Sequence, residues 1–128
     1  MENSSNKEIK VLVVDDEQDF CELAKRILVQ KQYEVELAYG GEEAIGKIHD
    51  FNPNVVLLDV LMPRLGGDEL VKMIRVWKPD IPVIMITAKM SEGIFEECLA
   101  NGAYTCLRKP IDFDSLDETI AASLKNKS

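Results

Sequence analysis

The chain is poor in the residues that build several common kinds of site. It has one histidine, His49, in 128 residues, so a multi-histidine metal centre is excluded. Its three cysteines, Cys21, Cys98 and Cys106, form no C-x-x-C pair and no zinc-ligand spacing. An odd number of thiols without a secretion signal points to reduced cysteines and a cytoplasmic protein. Basic residues are outnumbered, 15 Lys and Arg against 23 Asp and Glu, for a net charge of −8. That balance argues against direct binding of nucleic acid or an anionic membrane, both of which need clustered Lys and Arg. No apolar run reaches the roughly 18 residues of a membrane-spanning helix. The opening MENSSNKEI has no apolar centre of the kind a signal peptide carries.

What is present suits one compact domain. The chain is 46% hydrophobic and 30% charged, enough apolar material for a core and too periodic for disorder. The expected organisation is a polar tail over 1–8, a single domain over 9–125 and a short tail over 126–128. The β-branched run IKVLVV at 9–14 reads as a strand buried on both faces. Further strands are expected at 34–39 (EVELAY, alternating and edge-like), 54–59 (NVVLLD), 81–87 (IPVIMIT) and 104–108 (YTCLR). Helical spacing marks five apolar faces. They are Phe20, Leu23, Ala24, Ile27 and Leu28; Ala44, Ile45 and Ile48; Leu70, Val71, Ile74 and Trp77; Ile94, Phe95, Cys98 and Leu99; and Phe113, Leu116, Ile120 and Leu124. Ser91 is the expected cap of the fourth helix and Asn101-Gly102 its stop.

Strands alternating with helices every 20–25 residues or so indicate an α/β fold with a parallel sheet. Five units are too few for an eight-fold barrel. The expected architecture is a doubly wound, five-stranded parallel sheet of flavodoxin-like order 2-1-3-4-5, with helices on both faces and the polar strand 2 at an edge. Such sheets bind ligands at the carboxyl ends of their strands. Strand 1 ends in Asp15-Asp16, followed by Glu17; strand 3 ends in Asp59; strand 4 in Thr87-Ala88; and strand 5 in Lys109-Pro110. Three carboxylates, a hydroxyl and an ammonium group are thereby expected at one end of the sheet.

Carboxylates gathered closely suit a hard divalent cation such as Mg²⁺, with Mn²⁺ as the alternative. Mg²⁺ also favours phosphate oxygens, which points to phosphoryl transfer. In that chemistry Lys109 and Thr87 are suited to neutralise and hydrogen-bond a phosphoryl group. A carboxylate is able to act as nucleophile and form an acyl phosphate, and Asp59, single and central, is the best candidate. Each residue alone has a plainer reading, as a helix cap, a turn residue, a strand-end threonine or a solvated lysine. Their fall at four strand ends in complementary types favours the joint reading.

The segments VLVVDDE (11–17), LLDVLMP (57–63) with Gly67, ITA (86–88), NGA (101–103) and LRKP (107–110) resemble the receiver domain of two-component response regulators. The resemblance implies that Asp59 accepts a phosphoryl group from a histidine kinase or phosphotransfer protein. It implies that Asp15 and Asp16 hold Mg²⁺ with Asp59, Asp16 directly, and that the backbone carbonyl of Leu61 is a further ligand. Thr87 would follow the phosphoryl group and Lys109 bind it. The output would be a changed protein-binding surface on helix 4, strand 5 and helix 5, with a phosphorylation-dependent dimer as a further expectation. Such a domain phosphorylates and dephosphorylates itself and turns over no external substrate.

Three positions depart from the family's common pattern. Cys106 stands where an aromatic switch residue is frequent, and is expected to be a small buried residue. Leu61, two residues after Asp59, cannot position a hydrolytic water. Lys89, two after Thr87, brings a cation. Leu61 and Lys89 together predict a long-lived phosphoryl group. Leu61 also argues against a haloacid-dehalogenase-type phosphatase, which needs a second Asp there. DDEQDF after strand 1 argues against a flavodoxin-like cofactor binder, whose phosphate loop is rich in Ser, Thr and Gly. His49 is expected on the surface.

Overall fold

A computed structural model describes residues 9–125, so both expected tails lie outside the described residues. Five strands alternate with five helices: β1 (Lys10–Val14), α1 (Gln18–Gln30), β2 (Glu34–Ala38), α2 (Gly41–Phe51), β3 (Val55–Asp59), α3 (Gly67–Trp77), β4 (Val83–Thr87), α4 (Ile94–Ala100), β5 (Thr105–Arg108) and α5 (Phe113–Lys125). All pairings are parallel, and the order is β2-β1-β3-β4-β5, as the sequence implies.

Every residue of β3 and β4 is buried, which accounts for their unbroken apolar runs. β2, at the edge, keeps Glu34 exposed and Glu36 half-buried. The alternation of side chains along each strand sorts the core into two layers. Leu12, Val14, Val56, Leu58 and Met85 pack against α2, α3 and α4 through Ala44, Ile48, Leu70, Ile74 and Cys98. Val11, Val13, Val55, Leu57 and Ile84 pack against α1 and α5 through Cys21, Ala24, Leu28, Leu116 and Ile120.

Some local expectations are corrected. On α1, Ala24 and Leu28 are buried as expected and Phe20 and Ile27 are half-buried, but Leu23 is 42% exposed and Cys21 is buried in addition. Cys21 turns inward, where its Sγ donates to the backbone carbonyl of Asp15 at 3.2 Å. Ser91 does not cap α4 with its side chain. The helix begins at Ile94 after Gly93, which adopts a φ of 86° that favours glycine. Phe95 and Leu99 on α4 are exposed. β4 begins at Val83, two residues after the apolar run starts. His49 is on the surface, 87% exposed, beside Asp50. Among the described residues no helix is long and apolar enough to cross a membrane.

Candidate functional site

The register between β1 and β3 brings the first two carboxylates together. Val13 lies opposite Leu57 and Val14 opposite Leu58. One more step sets Asp15 beside Asp59, with the side-chain parity of Val13 and Leu57. Asp15 is fully buried and Asp59 is 6% exposed, while Asp16, next in the chain, is exposed. Ligand atoms of Asp15, Asp16 and Asp59 all lie within 4.8 Å of one another. The donor set is oxygen only, with two carboxylates out of water and one in it. That fits a hard cation that keeps part of its water shell, and these three residues are the ones able to hold it.

The electrostatics of Asp59 agree. Burial, then the charge of Asp15, push its carboxyl from 3.8 up to about 7; the charge of Lys109 and the Leu61 N–H pull the other way, and a hydrogen bond with Asp15 raises it further. The Leu61 N–H donates to Asp59 Oδ1 at 3.3 Å. The seven-residue loop from Val60 to Gly66 folds back so that α3 starts against the end of β3. A Cβ built on Gly67 would lie 2.2 Å from the Asp59 carbonyl oxygen, an approach open only to glycine.

Lys109 is placed by β5 and followed by a cis peptide bond to Pro110. Its Nζ donates to Asp15 Oδ2 at 2.6 Å and to Glu17 Oε1 at 2.9 Å. Among the described residues these are its ion-pair partners, and Asp59 is not one of them. Burial alone would lower the lysine's pKa, but its hydrogen bonds to Asp15 and Glu17 and the charges of Asp15 and Asp59 outweigh it, so the group stays protonated. Glu17 is the site residue that sequence reasoning passed over; the run of three acids at 15–17 was its signal. Thr87 is buried at the end of β4, yet its hydroxyl is turned into its own loop. It accepts from the Lys89 N–H at 3.1 Å and donates to the Lys89 carbonyl at 3.3 Å. Asp15, Asp16, Asp59 and Lys109 are thus brought together, while Thr87 lies at the same sheet end with its hydroxyl engaged elsewhere.

Of the three thiols, Cys21 touches the site through the Asp15 backbone, while Cys98 and Cys106 pair with each other elsewhere. Burial pushes Cys106 up to about 12 and raises Cys98, with which it shares a hydrogen bond. Cys106 is 5% exposed, the small buried residue expected at that position.

Comparison with known proteins agrees with this geometry. Residues 11–121 match the family model described as the response regulator receiver domain. Over 120 residues the chain is 36% identical to the transcriptional regulatory protein ZraR of Klebsiella oxytoca, covering 94% of this chain and 27% of that protein. The chain therefore spans about a quarter of that relative's length. It superposes on a CheY-like receiver domain protein from Methanospirillum hungatei with a TM-score of 0.87 at 30% identity, covering 93% of this chain and 95% of that one. A Borrelia burgdorferi CheX-CheY-BeF3-Mg²⁺ complex matches with a TM-score of 0.82 at 30% identity, over 89% of this chain and 87% of that one. A match across nearly the whole described chain, on a sheet whose carboxyl edge gathers three aspartates and a lysine, leaves one conclusion: the chain belongs to the response regulator receiver domain family.

Proposed function

We propose that residues 9–125 form a phosphorylation switch in which Asp59 takes a phosphoryl group from the phosphohistidine of a kinase or phosphotransfer protein. The observation that carries this is the grouping of Asp15, Asp16 and Asp59 within 4.8 Å at the end of the sheet, with Lys109 bound to Asp15. Asp15, Asp16, Asp59 and the Leu61 carbonyl would hold Mg²⁺, or Mn²⁺ in its place. The ion would neutralise phosphoryl oxygens and carboxylates alike. The Mg²⁺ and beryllofluoride named with the Borrelia relative support that choice of ion and of chemistry.

The chain's own residues then have distinct tasks. One Asp59 carboxylate oxygen bonds to phosphorus as the donor's bond to phosphorus breaks. Lys109 leaves Glu17 and Asp15 to meet a phosphoryl oxygen, and Thr87 gives up the Lys89 backbone to do the same. That rotation would pull on the loop after β4 and on α4, where Phe95 and Leu99 are exposed. The face formed by α4, β5 and α5 is accordingly the proposed output surface, for a protein target or a second copy. The domain acts in the cytoplasm on its own aspartate and has no external substrate.

Incubation with acetyl phosphate and Mg²⁺, followed by intact mass measurement, tests the assignment. The wild type is expected to gain one phosphoryl adduct and Asp59→Asn none. An unmodified wild type, or an adduct retained by Asp59→Asn, would overturn it.

The lifetime of that adduct carries a second prediction. Leu61 is 59% exposed at the mouth of the site, and Lys89 is exposed beside Thr87. Neither is suited to orient an attacking water. A Leu61→Asn, Lys89→Glu double variant is expected to lose its phosphoryl group about tenfold faster, as a positioned polar group speeds hydrolysis. Decay followed by intact mass decides it; equal or slower loss in the double variant would refute the role given to this pair.

A further inference from the structure

We propose that Phe20 is a positioning residue for Lys109, holding its ammonium group in the site while it exchanges the Asp15 and Glu17 carboxylates for a phosphoryl oxygen. This rests on the reading of Asp59 as the phosphoryl acceptor. Lys109 Nζ lies 4.4 Å from the centroid of the Phe20 ring. The lysine side chain is only 12% exposed, so the contact is largely shielded from water. Phe20 sits in the first turn of α1, immediately after the segment that carries Asp15 and Glu17. Its ring is half-buried against the core layer between the sheet and α1 and α5, which fixes its position. A six-residue segment of chain, 15–20, therefore surrounds the ammonium group with two carboxylates and one aromatic face.

The three partners differ in what they demand of the lysine. Each carboxylate takes an N–H in a fixed direction. An aromatic face attracts the whole positive charge and fixes no single N–H. The N–H groups are then able to turn from Asp15 and Glu17 towards a phosphoryl oxygen without the ammonium group leaving the ring. Glu17, 66% exposed, is free to swing into water as it is released. With acetyl phosphate, the Asp59 oxygen bonds to phosphorus, the phosphorus–oxygen bond to acetate breaks, and acetate leaves with the electron pair. Lys109 keeps its protons throughout and offsets charge on the phosphoryl oxygens. An aliphatic residue at position 20 would fill the same space and offer no such attraction.

A series of mono-, di- and trifluorinated phenylalanines at position 20 separates the two roles, because fluorine weakens the ring's negative face and barely alters its shape. The rate of Asp59 phosphorylation by acetyl phosphate with Mg²⁺ is expected to fall steadily along the series. Phe20→Leu is expected to be about tenfold slower, and Phe20→Trp to recover the rate. A second readout needs neither metal nor phosphoryl donor: the Lys109 ε-methylene protons, whose carbon is bonded to the Nζ that lies over the ring, are expected to resonate upfield in wild type and to return to ordinary positions in Phe20→Leu. Flat rates along the fluorine series, or no upfield shift in wild type, overturn the role of Phe20 while leaving Asp59 as acceptor. No adduct on wild type, or an adduct on Asp59→Asn run in parallel, overturns the acceptor reading and this inference with it.

Discussion

Gly67→Ala is expected to lower the stability of the folded domain by roughly 3 kcal/mol, at the upper end of what overpacking usually costs. The added Cβ would lie 2.2 Å from the Asp59 carbonyl oxygen, 2.9 Å from Val60 Cα and 3.0 Å from the Asp59 carbonyl carbon. All three are backbone atoms, so no rotamer change relieves the contact. Either α3 moves away from β3 or the peptide after Asp59 moves. The first response breaks the Gly67 N–H bond to the Val60 carbonyl, 3.2 Å, and loosens Leu70 and Val71 from the core. The second displaces the backbone that presents the Asp59 carboxylate. Urea unfolding is expected to show an earlier midpoint at unchanged slope, and thermal unfolding a midpoint lower by about 10 °C. Phosphorylation by acetyl phosphate is expected to slow as well. Gly46→Ala is the matched control: it lies inside α2 with nothing within 4 Å of an added Cβ. It is expected to stabilise by about 0.5–1 kcal/mol, the ordinary gain of alanine over glycine in a helix. A Gly67→Ala variant as stable as wild type would show that the junction of β3 and α3 yields easily, and that Asp59 is not held by close packing there.

The fold and the acidic centre were legible because they depend on local pattern. Buried parallel strands leave unbroken apolar runs, and polar residues at their ends are conspicuous against them; VVLLD shows both in five residues. The 2-1-3-4-5 order followed from β2 being the one strand with alternating polarity. Less legible was anything set by long-range side-chain geometry. Lys109 reaches Glu17, 92 residues away in sequence, and no spacing rule announces that contact. The direction of the Thr87 hydroxyl is a rotamer choice made in favour of the Lys89 backbone, and composition does not encode it. One position of α1 was misread for a related reason, Leu23 taken for the inner face in place of Cys21. Leu23 and Cys21 are both apolar enough for the inner face, and the Cys21 thiol bond to the Asp15 carbonyl favours Cys21. That bond also ties α1 to the strand end carrying Asp15, so the detail missed from sequence is one that steadies the site.

Asp59→Asn is expected to stabilise the domain in the absence of metal, and to do so in a pH-dependent way. In the folded protein burial and the Asp15 charge hold the Asp59 carboxyl at about 7, against 3.8 for the ordinary group. Below about pH 4 the carboxyl is protonated in both folded and unfolded chains and contributes nothing. Between about 4 and 7 the folded protein keeps a proton that the unfolded chain has lost, so this group makes stability fall as pH rises. Above about 7 the penalty is complete, roughly 2–4 kcal/mol. Asparagine has no charge to desolvate, its carbonyl is able to keep the Leu61 N–H, and its amide is able to donate to Asp15. The loss of attraction to Lys109 opposes this gain but is smaller than the burial and Asp15 contributions. Thermal midpoints of the two proteins are therefore expected to coincide near pH 4 and to separate up to neutrality, with the variant higher by about 10 °C at pH 8 or so. Mg²⁺ is expected to raise the wild type more than the variant and so to narrow the gap, because a cation among Asp15, Asp16 and Asp59 stabilises only the folded form. Parallel pH profiles, or a variant less stable than wild type above pH 7, would refute this account. The destabilised charge has a consequence for switching. A carboxylate that is unfavourable alone would be relieved by a cation, and by Lys109 once it bore a phosphoryl group, and each such step would then have free energy available to rearrange the loops that follow Thr87 and Asp59.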